Sequence, residues 1–583
     1  MVTYRNMDLA AGPESGDATF ERAQVDVGTS LVIDADEHLV RGAFFDSVEG
    51  QARFVAGAQV VSTAGPPIGD LSVAVREVMA LIEAQTGFPL QPEDEHDTVP
   101  RAVTLTGQPV KPIRVAIVPT GAHPITTALA AVARSTHSIV YVLDAEIRTE
   151  DGVMSATLLE NRARGFRPHV VVLLEGDRAQ AEWASAVGTL GNMLADGTIE
   201  QMIVLASDDF QQHVIQTLGD APNLTGLDPG QYETHEVAIA LETELSGMYQ
   251  ERARNVPNPG LSGNWAYVSR LRAGDLSTRF IARRLEKSAA SVDISSGTTI
   301  NWSNVHTGGS LCRPDLDLHT HIRGIFGPRF EFARALLPFE LSGEELANWV
   351  LNRASRPRVV AATPRDELIE SALASAIVSH AWEDMANIAS EQIEVLIGGP
   401  AFCCDAHPAL GVLALLNGVQ PTPLGGVVEV HLDPDGLLVA AGAVGESAPA
   451  VAADVIEHDV LAPVATVIVV EGEGVEGQLA VSGRLTYDDG ESVEFEVPFG
   501  TLRRLDFADG DSGSLWLTCE PGFAVGGSNP GERMEFGQSV PLRGGEVGII
   551  IDARGRPLEV EGESSAISRE MVQRWYAELG IEL

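Results

Sequence analysis

The stretch "SVDISSGTTINW", Ser291 to Trp302, decides which fold this chain is expected to have. A short apolar strand leads into a small polar turn, with Asp293 before the turn and Thr298 and Thr299 after it. Small residues let backbone N–H groups approach an anion without obstruction by a side chain. The pattern predicts a strand-turn-strand unit of the kind that holds a nucleotide phosphate, with an ordinary hairpin as the alternative.

Two other stretches share this layout, "VDVGTS" at 25–30 and "VLIGGP" at 395–400. Each is an apolar strand that ends in a turn of small residues. The residues that these two turns add to the candidate binding set are Asp26, Gly28, Thr29, Ser30, Gly398 and Gly399. A single turn of this type is weak evidence. Two acid-bearing turns about 270 residues apart, followed about 100 residues later by a Gly-Gly turn, form a more specific series.

The charge balance excludes some classes of partner. The chain has 39 basic and 82 acidic residues, for a formal net charge of -43. A surface this acidic repels phosphate backbones and anionic lipids, so we expect neither a nucleic-acid partner nor a membrane partner. Lysine occurs only at Lys111 and Lys287, so a phosphate-binding lysine has just two possible sources.

The sequence also predicts a soluble, cytoplasmic protein. Its N-terminus lacks a signal-peptide pattern, and the chain has no apolar run of about 18 residues that could span a bilayer. The four cysteines are too few and too irregularly spaced for a disulfide scaffold or a paired zinc site.

Length and texture predict several domains, because 583 residues exceed what one hydrophobic core usually supports. Short apolar strands that alternate with helices over 113–250 indicate a mostly parallel sheet covered on both faces. After about residue 460 the sequence becomes rich in strands. Five units are predicted. They are a flexible lead-in (1–20), a first α/β unit (21–105), an inserted α/β domain (113–250), a second α/β unit (285–458) and a C-terminal β-rich domain that ends in a helix (460–583).

The order of the three turns resembles the actin-like ATPase superfamily. Within it, the chain resembles the accessory proteins of coenzyme-B12-dependent glutamate mutase, which are related to hydantoinase A and oxoprolinase. The similarity lies in "FGTLRRLDFADGDSGSLWLTCEPGFAVGGSNPGE" at 499–532, "GGEVGIIIDARGRPLEV" at 544–560 and "IGGPAFCCDAHPALGVLALLNG" at 397–418. It implies an α/β, actin-like (ribonuclease H-like) fold with an inserted α/β region and a C-terminal β-rich domain.

The resemblance also implies a nucleotide site. In the family's arrangement Asp26 and Asp293 would lie near the metal-phosphate end. The four hydroxyl residues Thr29, Ser30, Thr298 and Thr299 would contact phosphate, and Gly398 and Gly399 would contact adenosine. ATP with Mg²⁺ is then the expected cofactor. The expected partner is another enzyme, such as a B12-dependent mutase subunit, and a homo-oligomer is a further possibility.

Both phosphate turns depart from the family pattern. After the first turn, Val32 and Ile33 stand where the family has Thr and Lys. In the second turn, Ser295 and Ser296 replace a glycine pair, and Ile300 replaces the final acid. Phosphoryl transfer depends on carboxylate-held metal and a positioned nucleophile. We therefore expect an accessory, chaperone-like or scaffold protein with a degenerate cleft. The alternative is an active ATPase or an ATP-assisted amidohydrolase of the hydantoinase A type.

A metal-like pattern occurs at "DLDLHTH". If this run is an extended strand, Asp315, Asp317, His319 and His321 point to one side. Two imidazoles and two carboxylates suit Zn, Mn or Fe(II). Alternation of polar and apolar residues is also what any half-exposed strand shows, so both interpretations stay open.

Overall fold

We describe a computed structural model of the chain. It describes residues 29–65, 67–90, 102–107, 111–121, 125–134, 136–144, 147–149, 153–177, 179–218, 224–227, 234–254, 265–319, 322, 326–356, 361–385, 392–403, 407–420, 426–529, 532–537, 542–558, 560 and 567–581. No helix of these residues has both the length and the apolarity needed to cross a bilayer.

The first half of the molecule contains a five-stranded sheet. Its elements are β1 (Ser30–Ala35), β2 (Leu39–Val48), β3 (Gln51–Val61), α1 (Leu71–Thr86), β4 (Ala102–Gly107) and, after an insertion, β10 (Trp265–Tyr267). The strand order is β10-β4-β1-β2-β3. Strands β1, β2 and β3 pair antiparallel, whereas β4 and β10 continue the sheet in parallel.

The insertion between β4 and β10 is a second sheet covered by helices. It consists of β5 (Ile113–Pro119), α2 (Thr126–Arg134), β6 (Ser138–Val142), α3 (Ala156–Phe166), β7 (Val170–Leu174), α4 (Gln180–Ala195), β8 (Gln201–Leu205), α5 (Asp208–Leu218), β9 (Leu224–Leu227) and α6 (Thr234–Arg254). All of its strand pairs are parallel, in the order β6-β5-β7-β8-β9. Apolar side chains fill both faces of this sheet, as the continuous apolar runs predict.

The second half repeats the architecture of the first. Helix α7 (Arg270–Leu285) leads into it, and its elements are β11 (Ala289–Ser295), β12 (Gly297–Ser303), β13 (Gly308–Arg313), α8 (Pro328–Ala335), α9 (Gly343–Ser355), α10 (Pro364–Met385), β14 (Val395–Gly398), α11 (Pro408–Gly418), β15 (Gly426–Leu432), α12 (Leu437–Gly445) and α13 (Pro449–Val455), with a π-helical turn at Ile456–Val460. Its strand order, β13-β12-β11-β14-β15, has the same topology as the first sheet. This duplicated order is that of the actin-like, ribonuclease H-like architecture, so the fold expected from the sequence is confirmed.

The C-terminal strands divide between two sheets. They are β16 (Pro463–Gly472), β17 (Leu479–Tyr487), β18 (Ser492–Pro498), β19 (Thr501–Leu505), β20 (Gly513–Cys519), β21 (Phe523–Val525), β22 (Arg533–Phe536) and β23 (Gly548–Ala553), followed by helix α14 (Arg569–Glu578). Strands β16, β23 and β19 continue the second half's sheet beyond β15, and four others form a separate sheet in the order β18-β17-β20-β22. The boundary placed at residue 460 from sequence therefore falls within one continuous sheet.

Capping interactions mark the ends of helices α1 and α7. In α1, the Asp70 side chain accepts a hydrogen bond from Ser72 N at 2.9 Å, and Gly87 ends the helix in the left-handed region with φ 70°. In α7, Ser269 caps the first turn through Arg272 N.

One apolar cluster joins the two halves. It contains side chains of the first sheet, such as Val32 and Phe45, of the second sheet, such as Val395 and Ile397, and nearly all of α12. Helices α7 and α12 pack against each other within it. The two halves therefore share a core along these helices.

Candidate functional site

Two hairpins, one from each half, meet across the cleft between the halves. The first is the turn between β1 and β2, and the second is the turn between β11 and β12. At their tips, Glu37 N donates a hydrogen bond to Ser296 Oγ at 3.4 Å. Beside this contact the rings of His38 and His319 lie edge to face, with centroids 4.9 Å apart. The tips of the hairpins are thus in direct contact.

The first hairpin carries two acids, Asp34 at the end of β1 and Asp36 in the turn. The Asp36 carboxylate accepts hydrogen bonds from the amides of His38 and Leu39, at 2.7 and 2.8 Å. These bonds shape the tight turn. In the duplicated strand order β1 and β2 correspond to β11 and β12, so Asp34 and Asp36 lie in the first half's counterpart of the hairpin that carries Asp293.

Arg270, the first residue of α7, lies between the acids of both hairpins. Its Nη2 atom is 2.6 Å from each carboxylate oxygen of Asp34, and its Nη1 atom is 3.1 Å from Asp293 Oδ2. Nη2 is also 3.6 Å from Asp36 Oδ2. The Arg270 side chain is only 2% exposed. One buried guanidinium thus joins three carboxylates from the two halves.

The charges of the cluster shift the pKa values of Arg270 and Asp36. Burial alone lowers the pKa of Arg270, but the charges of Asp34, Asp293 and Asp36 outweigh it and raise that pKa above its ordinary value. Burial raises the pKa of Asp36, yet Arg270 and the two turn amides together bring it below its ordinary value. Arg41 adds a second guanidinium 3.8 Å from Asp34. The cluster holds three carboxylates against two guanidiniums.

The Gly-Gly turn after β14 packs against the Asp293 carboxylate. Gly399 N donates to Val292 O at 2.8 Å, and a Cβ atom at Gly399 would lie 2.6 Å from Asp293 Oδ1. This close approach explains the glycine, because any side chain would displace the carboxylate. The turn and Asp293 therefore lie against each other.

Asp433, after β15, is a further acid of the site that the sequence analysis missed. Its two carboxylate oxygens accept from the amides of Leu437 and Leu438, both at 2.8 Å, at the first turn of α12. Burial is the main cause that raises the pKa of Asp433, and the nearby charge of Asp293 also raises it. The two amide hydrogen bonds lower it, and the resulting pKa is about 6. It acts here as an anchor for the helix N-terminus.

The space left at the centre of this cluster is small. The cavity between the acids, α7 and the start of α12 measures about 20 Å³. Three of the polar atoms in its lining residues have no hydrogen-bond partner: Arg270 Nε, Asp293 Oδ1 and Asn301 Oδ1. A cavity of this size admits about one water molecule, whereas ligand pockets measure roughly 300–1,000 Å³.

A nucleotide with Mg²⁺ does not fit this arrangement. The carboxylates that would hold the metal are paired with Arg270, and the cavity has no room for a triphosphate. The cation that joins the two hairpins here is a guanidinium of the chain itself.

The predicted residues of the first turn that the structure describes, Thr29 and Ser30, do not reach the cluster around Arg270. Asp26 and Gly28 lie outside the described residues. Thr29 precedes β1, and Ser30 begins it opposite Phe45, at the end of the strand away from the hairpin. The acids that do face Asp293 come later in the chain, in "LVIDADEHL". The sequence signal that indicates them is an apolar strand followed directly by acids.

The second and third turns divide between the cavity and the interior. Asp293, Thr299 and Gly399 line the cavity. Thr298 instead donates its hydroxyl to Leu316 O at 2.8 Å, and a Cβ at Gly398 would lie 2.7 Å from Leu415 Cδ1 in the core. Nucleotide contact by these residues stays a prediction.

The Asp/His run is not a continuous strand. Strand β13 ends at Arg313, which binds both oxygens of Asp315 at 2.9 Å, and Asp317 accepts from His319 N at 2.6 Å in a turn. His321 lies outside the described residues. In the described part of the chain, no group of three or more His, Cys, Asp or Glu residues is arranged to hold a metal ion. The premise that alternate side chains share a strand face does not hold.

No protein-family model matches the chain, and no curated protein matches its sequence. Among solved structures it is similar to a ROK family glucokinase from Streptomyces griseus, with 11% identity, 73% of this chain and 98% of that chain covered, and a TM-score of 0.25. Xylulose kinase from Bifidobacterium adolescentis gives 13% identity, 74% and 94% coverage and a TM-score of 0.27.

Component A of (R)-2-hydroxyglutaryl-CoA dehydratase from Acidaminococcus fermentans gives 10% identity, 73% and 98% coverage and a TM-score of 0.26. The assignment of the fold rests on the strand order of the two halves.

Proposed function

We propose that this protein has an actin-like architecture without nucleotide hydrolysis and serves as an accessory or scaffold protein for a partner enzyme. The observation that supports the loss of hydrolysis is the Arg270 guanidinium, buried between Asp34 and Asp36 of one half and Asp293 of the other. The partner role follows from the sequence resemblance to the glutamate mutase accessory proteins.

The chemistry of Arg270 opposes metal-assisted phosphoryl transfer. Such transfer needs a divalent cation held by carboxylates that also bridges the phosphate oxygens. A guanidinium stays protonated in proteins and has no free orbital with which to bind a second ligand. Binding of Mg²⁺ at these acids would therefore require Arg270 to leave three carboxylates and enter another environment.

The contacts between the halves support a fixed, closed form. Actin-like proteins that respond to nucleotide do so by hinge motion of one half against the other. Here the hairpin tips touch, Arg270 spans the cleft, and the apolar cluster around α7 and α12 continues through both halves. A closed form of this kind presents a constant surface to a partner, as a scaffold requires.

Nucleotide titration of the full chain tests the loss of hydrolysis. We expect no saturable ATP binding and no phosphate release from the wild type, with Mg²⁺ or with EDTA. Binding or hydrolysis that needs Mg²⁺, is lost in Asp293→Ala and survives in the control Asp275→Ala would show that the cleft works and would overturn the proposal. Asp275 lies on α7 and pairs with Arg279 at 2.7 Å, outside the contacts of Arg270.

Reconstitution tests the accessory role. The chain would be purified with the coenzyme-B12-dependent mutase subunits of the same organism, and complex formation and mutase turnover would be measured with and without it. A defined complex or a change in turnover supports the proposal. ATP turnover that depends on a ureide or lactam substrate would instead establish the amidohydrolase alternative.

A further inference from the structure

The insertion is attached to one half of the molecule and packs against the other. It begins after β4 and ends before β10, so both of its connections lead to the first half's sheet. Its helix α2 and strand β6 lie against β13, a strand of the second half. Any rotation that separates the two halves therefore has to loosen the insertion from one of them.

A thiol and an imidazole meet where the insertion contacts the second half. Nδ1 of His137, the residue before β6, lies 3.4 Å from Sγ of Cys312 in β13. His137 is 5% exposed, and Cys312 has no exposed surface. The hydroxyl of Thr299, which lines the cavity of the cleft, lies 4.0 Å from the same sulfur. A single side chain, Cys312, thus separates the insertion from the lining of the cleft.

The backbone of His137 is in a conformation that needs support from its surroundings. Its φ is 53°, in the left-handed region that few residues other than glycine occupy. Such a conformation persists where neighbouring contacts determine it. The His137 carbonyl accepts from Ile113 N at 3.3 Å, and the ring lies edge to face against Tyr249 of α6, with centroids 4.8 Å apart. These contacts hold the imidazole against Cys312.

Hydroxyl groups continue from His137 to the acids of the cleft. The Tyr249 hydroxyl donates to Tyr267 of β10, whose own hydroxyl donates to Gly107 O at 3.2 Å. Gly107 packs on Asp34, because a Cβ atom at Gly107 would lie 2.6 Å from Asp34 Oδ1. Contacts therefore run from β13 of the second half through the insertion to a carboxylate of the first half.

An ion pair lies beside the buried thiol. Arg134, the last residue of α2, is 3.7 Å from Asp384 of α10, and 26% of each side chain is exposed. Asp384 also accepts from Arg313, the last residue of β13, at 2.7 Å. The contact between the insertion and the second half thus has a buried centre and a charged rim, as interfaces between proteins do.

We propose that the insertion is a strap that fixes the closed form of the cleft, and that the cleft opens only when the insertion leaves β13. The strap is formed by His137 and Arg134, which bind Cys312 and Asp384 of the second half. Arg270 and the strap then act on one equilibrium, between a closed form with both sets of contacts and an open form with neither.

Alkylation of Cys312 by iodoacetamide measures release of the strap, because the closed form leaves this thiol no exposed surface. The full chain is labelled under native conditions, and mass spectrometry gives the rate for each cysteine peptide. Hydrogen exchange in β1 and β11 of the same samples measures opening of the cleft. Cys519, a buried thiol of the C-terminal strands, is the internal control for unfolding of the whole chain.

Three variants of the insertion separate the strap from general effects. His137→Asn removes the imidazole but keeps a residue type that tolerates a positive φ, and it should raise both rates about tenfold through loss of a buried hydrogen bond and a ring contact. Arg134→Met, at the partly exposed ion pair, should raise both about twofold. The matched control is Arg167→Asn, at an exposed residue of the insertion with the same φ of 53°, which should change neither rate.

A single equilibrium requires each variant to change both rates by the same factor. Arg270→Met, which acts on the cleft, should therefore speed alkylation of Cys312 as much as it speeds exchange in β1 and β11. The proposal is overturned if Arg270→Met opens the cleft and leaves Cys312 protected, or if His137→Asn frees Cys312 while β1 and β11 keep their protection. Exchange in β5 and β7 shows whether the insertion stays folded; if His137→Asn unfolds it, Arg134→Met decides by the same comparison.

Discussion

Replacement of Arg270 by Met is the most direct test of the closed cleft. Methionine keeps much of the volume of the side chain but removes the charge that Asp34, Asp36 and Asp293 share. Removing one partner of a buried ion pair costs about 3–5 kcal/mol, because the remaining charge stays buried without compensation. Arg41, at 3.8 Å from Asp34, compensates one of the three carboxylates in part. We therefore expect Arg270→Met to lower the free energy of opening the cleft by about 3–5 kcal/mol.

The effect should depend on pH in a defined direction. In the wild type the pKa of Asp36 is lowered, so its contribution to stability is present above about pH 3.8 and is lost as the pH falls through its folded-state pKa. The charge of Arg270 is the largest cause that lowers the pKa of Asp36, so this pKa rises in the variant and Asp36 takes up a proton more readily. The variant should lose most at pH 7, and the difference should shrink towards about pH 4.

Local hydrogen exchange is the suitable measurement, because a chain of several units does not unfold in one step. Peptides from β1 and β11 report the free energy of opening the cleft. The control is Arg272→Met, on the same helix with 44% of its side chain exposed, which should change by at most about 0.5 kcal/mol. If Arg270→Met changes the opening free energy by under about 1 kcal/mol, or by the same amount at both pH values, the reasoning is refuted.

Three further predictions concern neighbouring contacts. Because the pKa of Asp433 is raised in the folded state, the wild type should lose stability as the pH rises from about 4 to 6. Asp433→Asn should therefore gain stability relative to the wild type over this window, by at most about 3 kcal/mol. Thermal melts that show a constant difference between the two proteins would contradict this. Gly399→Ala should lower the free energy of unfolding by about 1–3 kcal/mol, since the new Cβ would lie 2.6 Å from Asp293 Oδ1. The control Gly343→Ala, whose Cβ would lie 3.9 Å from the nearest atom, should be neutral or stabilising. Asp552→Ala should lower the free energy of unfolding by about 3–5 kcal/mol, because Arg554 and Arg556 would stay buried without their carboxylate partner. Denaturation of the C-terminal region measures this. The control Asp506→Ala, at a 93% exposed side chain, should have almost no effect.

Local sequence pattern was sufficient where an element depends on its own residues. The hairpin at Ser291–Trp302 forms as an antiparallel pair with Asp293 opposite Thr299, as the strand-turn pattern predicts. The apolar runs of the insertion form a parallel sheet for a similar reason, because a strand buried on both faces must be apolar throughout.

The first hairpin shows where pattern alone fails. Both "VDVGTS" and "LVIDADEHL" have apolar residues with an acid and small side chains, and nothing local decides which acid faces the second hairpin. That choice depends on the register between β1 and β2, in which Ala35 pairs with Val40 and the turn begins at Asp36. Register follows from pairing across the whole sheet.

Arg270 was missed for a related reason. It looks like an ordinary arginine at the start of a helix, and its partner Asp34 is 236 residues away in the chain. Sequence analysis found departures from the family's phosphate turns but did not point to the guanidinium that pairs with the acids of the two hairpins. Only the fold brings the guanidinium, the two hairpins and the Gly-Gly turn together.

The sheet that runs on from the second half into the C-terminal strands has a consequence for synthesis of the chain. Strand β16 pairs in parallel with β23, which begins at Gly548, so one side of β16 waits for roughly 80 residues of translation, or about 4–16 s. During that time the apolar run Ala465–Val470 has an open edge on the ribosome. The sheet of the second half is therefore completed only after nearly the whole chain has been synthesised.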